Sequence, residues 1–196
     1  MKQVLLFILS IFTLNANQNS MNFYVITGGP GSGKSTLIDA LRERGYICVE
    51  EAGRQIIQEQ LATGGDALPW KNLARFKELM LEHALITYDE AKGVKGPVFF
   101  DRGVVDLIGY DILTNAKNTD RLLEAVKKYR YNNRVFIAPP WEAIYCNDAE
   151  RKQTFEEAVA TYTCIKNGYL DEGYEVIELP LLSVQERIEF IINSIE

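Results

Sequence analysis

The chain has 196 residues, 47% of them hydrophobic and 24% charged, and a net charge of −6. That length buries the core of one domain and leaves no room for a second enzymatic one. The acidic balance, without a clustered basic surface, excludes a nucleic-acid partner held through its phosphates, while a local site for a small anion stays compatible with it.

Residues 1–20 carry Lys2, an almost wholly apolar run from Val4 to Leu14, and Ala16. This is the shape of a secretory signal segment, too short to span a bilayer, so no stable membrane anchor is expected. The competing reading makes Met21 the true start and 1–20 a mis-assigned leader. The cytoplasm is the compartment expected, and the domain expected is 21–196.

From Met21 onward apolar strands alternate with helical patterns, the signature of a parallel sheet covered on both faces. The apolar run predicts a first strand over 23–27, and the helix after it takes in 37–44. A short strand is expected over 46–49 and a helix over about 51–61, broken by Thr63-Gly64-Gly65. A long amphipathic helix follows over 70–92. Val98-Phe99-Phe100, bounded by Gly96-Pro97 and Asp101, reads as a buried strand. Helices are expected over 104–113 and 120–129, and a strand over 135–138 stopped by Pro139-Pro140. A helix over about 149–170, a strand over 175–178 and a helix over 183–195 complete the chain. The fold class expected is therefore α/β, a five-stranded parallel sheet covered by helices on both faces, with any ligand beyond the carboxyl ends of the strands.

The strongest chemical signal is Gly28-Gly29-Pro30-Gly31-Ser32-Gly33-Lys34-Ser35-Thr36, placed directly between the first strand and the first helix. Glycines let the backbone approach a polyphosphate closely, and the following helix adds the positive end of its dipole. Lys34 can reach the β and γ phosphates, and Ser35 can offer its hydroxyl to magnesium. A bare strand-to-helix turn does not account for nine matching residues in this context. A nucleoside triphosphate is expected as ligand.

Asp101-Arg102-Gly103 ends the Val98 strand, where such folds hold magnesium, so Ser35 and Asp101 are the metal candidates. The plain alternative for Asp101 is a cap on the next helix, with Arg102 as a solvated ion partner. Arg102 stands where motor ATPases carry a water-activating glutamate. A guanidinium suits phosphate clamping, which favours transfer to an acceptor over mechanical hydrolysis. Glu50 and Glu51 are either first-turn acids, with an i,i+4 pair from Glu50 to Arg54, or a carboxylate that accepts a hydroxyl proton. Arg151, in Asp148-Ala149-Glu150-Arg151-Lys152-Gln153, is either part of a solvated helix end or a lid cation.

Other polar residues read more plainly. Cys48, Cys146 and Cys164 lack C-x-x-C spacing and read as reduced, buried thiols. His83, the one histidine, lies in a helical stretch without a second ligand nearby and reads as packed or surface. Tyr129 to Arg134 interleaves aromatics with cations and reads as packing at the sheet rim. Lys117-Asn118-Thr119-Asp120 has the wrong spacing for guanine recognition, so ATP is preferred to GTP.

The phosphate loop, Glu50-Glu51-Ala52-Gly53-Arg54, Phe99-Phe100-Asp101-Arg102-Gly103 and Pro139-Pro140-Trp141 through Arg151-Lys152-Gln153 together resemble a bacterial family of AAA-type P-loop ATPases. That family is grouped with nicotinamide riboside kinase domains of NAD-salvage proteins and with an animal trafficking protein that binds GTP and phosphoinositides. The resemblance covers 21–196 and implies a nucleoside-kinase-like fold with ATP and Mg2+ as ligands. It further implies that Lys34, Ser35, Thr36 and Asp101 serve nucleotide and metal, that Glu51 and Arg102 serve the acceptor, and that Arg151 is a lid arginine. Two functions follow as expectations: a kinase acting on a hydroxyl of a small metabolite or nucleoside, or a nucleotide switch read by a protein or phosphoinositide.

Overall fold

The computed structural model describes residues 22–145 and 153–196. Its centre is a five-stranded sheet of β1 (Phe23–Gly28), β2 (Ile47–Val49), β3 (Val98–Asp101), β4 (Arg134–Ala138) and β5 (Glu175–Glu178), ordered β2-β3-β1-β4-β5. Every pairing is parallel, as the alternation of strands and helices requires. The strands are joined by helices α1 (Lys34–Glu43), α2 (Gly53–Thr63), α3 (Leu73–Ala91), α4 (Asp106–Leu113), α5 (Asp120–Lys128) and α6 (Phe155–Asp171), and α7 (Val184–Ile195) closes the chain.

All six residues of β1 are buried, because helices cover both faces of the sheet. Strand alternation then divides them between two cores. Phe23 and Val25 join Phe100, Val135 and Ile137 against α3 to α6, with Met80, Leu107 and Ile165 filling between. Tyr24 and Ile26 join Phe99, Phe136 and Ala138 on the other face, under Leu37 and Leu41 of α1 and Ile188 and Ile191 of α7. Burying one such side chain contributes roughly 1.5–3 kcal/mol, so the two layers dominate stability.

Helix starts are set by side chains that bind otherwise unpaired backbone amides. The Asn72 side chain accepts from the Arg75 amide, so α3 begins at Leu73 and not at 70. Thr154 and Glu157 form a reciprocal capping box that starts α6 at Phe155. The earlier start expected near 149 lies outside the described residues. Gly64, with φ 70°, ends α2. The 129–134 segment packs at the rim as expected, with Tyr129 and Tyr131 buried and the Arg130 guanidinium 4.1 Å from the Tyr174 ring.

Register positions the ligand end of the sheet. Ile26 pairs with Asp101 and Gly28 with Ala138, so the phosphate loop leaves β1 beside the last residue of β3. β2 lies on one side of β1 and β4 on the other, which makes the carboxyl end of β1 the crevice of the sheet. Among the described residues no helix is long and apolar enough to cross a membrane.

Candidate active site

The phosphate loop is built from main chain. At Gly28 a Cβ would stand 2.5 Å from the Ala138 carbonyl oxygen, so only glycine lets the loop leave the sheet this close to β4. Gly33, with φ 81°, forms the left-handed turn that starts α1. The Ser32 hydroxyl donates to the Gly29 carbonyl at 2.8 Å and pins the loop internally.

Lys34 is buried, and its Nζ donates to the Gly29 carbonyl at 3.3 Å. Burial drives its pKa down from 10.5 to about 8; the neighbouring Arg102 cation adds to the drop, while Asp101, Glu51 and Asp106 oppose it. Such an ammonium lacks a full counter-charge, a state that a bound anion relieves. Behind the loop, buried Arg187 reaches the Ser32 carbonyl at 3.4 and 3.5 Å, and burial lowers its pKa as well. The Tyr145 ring lies against Gly31, stacks edge-on with Phe155 at 5.4 Å, and its hydroxyl donates to the Gln153 carbonyl.

Beside the loop stands a group made of side chains. Arg102 has a left-handed φ of 69°, a costly conformation for a residue with a Cβ. Its amide donates to the Ile26 carbonyl at 3.0 Å, and its guanidinium has three further bonds: Nε to Glu51 Oε2 at 2.9 Å, and one terminal nitrogen to the Gly28 carbonyl and to Asp106 Oδ1, each at 3.0 Å. Burial works against this cation, yet Tyr110, Glu51, Asp106 and Asp101 around it hold its pKa well above the usual arginine value. Asp106, 2% exposed, also accepts from the Thr27 hydroxyl, from the Gly103 amide at 2.9 Å and from the Tyr169 hydroxyl at 2.6 Å. Four donors offset the cost of desolvating that carboxylate.

Asp101 behaves differently. Its Oδ1 is buried without a hydrogen-bond partner, and burial raises its pKa against the pull of Lys34 and Arg102. It does not cap the next helix, whose cap residue is Val105, and Arg102 bonds to Glu51 and Asp106 instead. The plain reading of the Asp101-Arg102 pair therefore fails. Asp101 and the exposed Ser35 line one cavity of about 620 Å³, bordered by Glu50, Glu51, His83 and Thr87. A smaller recess of about 40 Å³ opens from the same residues toward Phe100, Tyr110 and Tyr131.

The structure thus brings Lys34, Ser35, Glu51, Asp101 and Arg102 to one end of the sheet. Thr36 is exposed on the first turn of α1. Between the two glutamates, Glu51 is half-buried on Arg102, whereas Glu50 is exposed and paired at 2.7 Å with Arg42. Arg151 and Cys146 lie outside the described residues. Cys48 and Cys164 are free but half-buried, not fully buried as expected, and burial pushes the Cys48 thiol up to about 11, which makes it a poor nucleophile. Sequence reasoning missed Thr27, Asp106, Tyr145, Tyr169 and Arg187. Asp106 stands one helical turn after Arg102, the single local signal that could have flagged it.

A glycine-rich loop with a buried lysine at the crevice of this strand order defines a P-loop protein with the architecture of the small nucleoside kinases. A family model described as AAA domain matches residues 23–187, and the chain belongs to that family. The fold is similar to deoxyadenosine kinase from M. mycoides, at 18% identity and a TM-score of 0.66, covering 88% of this chain and 97% of that one. It is also similar to thymidylate kinase from Ehrlichia chaffeensis, at 16% identity and a TM-score of 0.59, covering 89% and 98%. Shikimate kinase from Acinetobacter baumannii, solved with shikimate, matches at 14% identity and a TM-score of 0.53, covering 92% and 96%. No curated protein matches the chain.

Proposed function

We propose that the chain is a magnesium-dependent phosphotransferase that moves the γ-phosphoryl group of ATP to a hydroxyl of a small molecule. The observation that carries this reading is the cavity shared by Ser35 and Asp101 on the phosphate side and by Glu51 on the other. A protein that only hydrolyses ATP needs no such second chamber. The kinase names of the structural neighbours support the reading at the level of fold.

In this reading the loop amides and Lys34 bind the β and γ phosphates, and the α1 dipole adds to them. Among the described residues no group of three or more His, Cys, Asp or Glu could enclose a metal. Magnesium does not require one, since it keeps waters and substrate phosphates as ligands, and the unpartnered Asp101 oxygen with the Ser35 hydroxyl fits that habit. When bound, the ion would neutralise charge on the phosphates. The acceptor oxygen attacks the γ-phosphorus, the new O–P bond forms as the bond to the β-phosphate oxygen breaks, ADP leaves, and Glu51 takes the hydroxyl proton. Arg102 is pre-placed by Glu51 and Asp106 to meet charge on the transferring group. Arg151 completes the proposal as a cation that closes over the phosphates.

The test is a panel of small hydroxyl compounds incubated with magnesium and ATP beside a control without acceptor, with products followed by mass spectrometry. Phosphorylated product that depends on an added compound is expected. ATP consumption indifferent to every compound would replace this reading with a nucleotide switch.

A further inference from the structure

The charge lining the acceptor cavity reports on what enters it, and this inference rests on the phosphotransfer reading above. Asp101 and Lys34 belong to the triphosphate side and are set aside. Of the remaining carboxylates, Asp39 and Glu50 share one cation, Arg42, at 3.0 and 2.7 Å. Glu51 and Asp106 likewise share Arg102, at 2.9 and 3.0 Å. Glu90 and Arg54 also line the cavity. Among the described residues three guanidinium groups therefore meet five carboxylates, an excess of two negative charges.

The distribution matters as much as the balance. An incoming phosphate or carboxylate needs donors to a guanidinium or ammonium in bidentate or close contact. Arg102 is held by Glu51, Asp106 and the Gly28 carbonyl and is assigned above to the transferring phosphoryl group, Arg42 is engaged by two carboxylates, and Arg54 has interactions of its own. An anionic acceptor would displace one of these partners and leave a half-buried carboxylate facing it. The other polar groups of the wall, Gln55, Gln58, His83 and Thr87, are suited to hydroxyl and amide partners.

We infer that the acceptor is an uncharged or positively charged hydroxyl compound, and that phosphomonoesters and carboxylic acids are rejected by the cavity. The discrimination is electrostatic and works against the wrong substrate as much as for the right one.

Matched pairs test this directly: nucleosides against their own 5′-monophosphates, and polyols and amino alcohols against hydroxy acids, each with magnesium and ATP. The uncharged or cationic member is expected to show kcat/KM at least about tenfold above its anionic partner. Preferential phosphorylation of the anionic members overturns the inference while leaving phosphotransfer intact. Absence of any acceptor-dependent product removes phosphotransfer and the inference with it. Glu90 is exposed on α3, so Glu90→Lys tests the same point without disturbing the core. It should raise KM for a cationic acceptor and strengthen inhibition by a nucleoside monophosphate, each by about threefold to tenfold. A variant in which neither the KM for a cationic acceptor nor inhibition by the monophosphate changes also overturns the inference.

Discussion

The phosphate loop and the Arg102 group lie side by side at the end of one sheet and are built by opposite means. The loop is a contiguous run of nine residues, shaped by its main chain and carrying one buried lysine. The Arg102 group draws Thr27, Glu51, Asp106 and Tyr169 from separate elements and works through side chains. The first stores its demand for a ligand as an under-compensated ammonium, whereas the second is already satisfied internally. Binding is thus expected to change the loop side electrostatically and the acceptor side hardly at all.

That contrast can be broken at several points. The largest effect on stability is expected from Asp106→Ala, which strands the Arg102 guanidinium, the Thr27 and Tyr169 hydroxyls and the Gly103 amide in a buried site. A loss of about 3–5 kcal/mol is expected, read as a shift of the urea midpoint. Lys34→Ala should do the reverse, cutting turnover by about 10²–10³-fold while leaving the melting temperature unchanged or raised, because it removes a desolvated cation. Calorimetry and thermal melts on the one variant check both halves. A large fall in melting temperature would show that Lys34 is structural.

Arg102→Lys keeps the charge and loses the fork that spans Glu51 and Asp106. Turnover should drop about tenfold to a hundredfold, with a smaller change in KM for ATP. A variant with unaltered kcat would remove Arg102 from the transfer step.

The smallest effect is a pH dependence with a definite sign. Lys34 falls from 10.5 in its ordinary state to about 8 in the folded, ligand-free chain. Between those values the unfolded state holds the extra proton, so folding stability should rise with pH there. ATP affinity should move the other way, because the triphosphate binds the ammonium. It is expected to weaken above about pH 8, approaching about tenfold per unit, in titrations on either side of that value. Lys34→Met should flatten both trends.

How much of this was legible beforehand follows the same division. Strand runs such as Val98-Phe99-Phe100 and the loop glycines carry their meaning in neighbouring residues, and β3 and the loop fell where pattern placed them. A helix start slipped by a few residues where a cap overrode periodicity, as at Asn72. Glu50 and Glu51 were indistinguishable in sequence, since one step of register decides which carboxylate turns inward. Packing resolved them by pairing Glu50 with Arg42 and Glu51 with Arg102.

Local order therefore determined the parallel α/β sheet, the loop and its lysine, because hydrophobic period and a contiguous motif are properties of adjacent residues. Tertiary structure alone decided that Asp106 would gather Thr27, Tyr169 and Arg102, that an Asp101 oxygen would be left without a partner, and that Ser35, Glu51 and Asp101 would line one cavity. Those outcomes depend on burial and on pairings between residues as far apart as 79 positions, and neither quantity exists until the strands are in register.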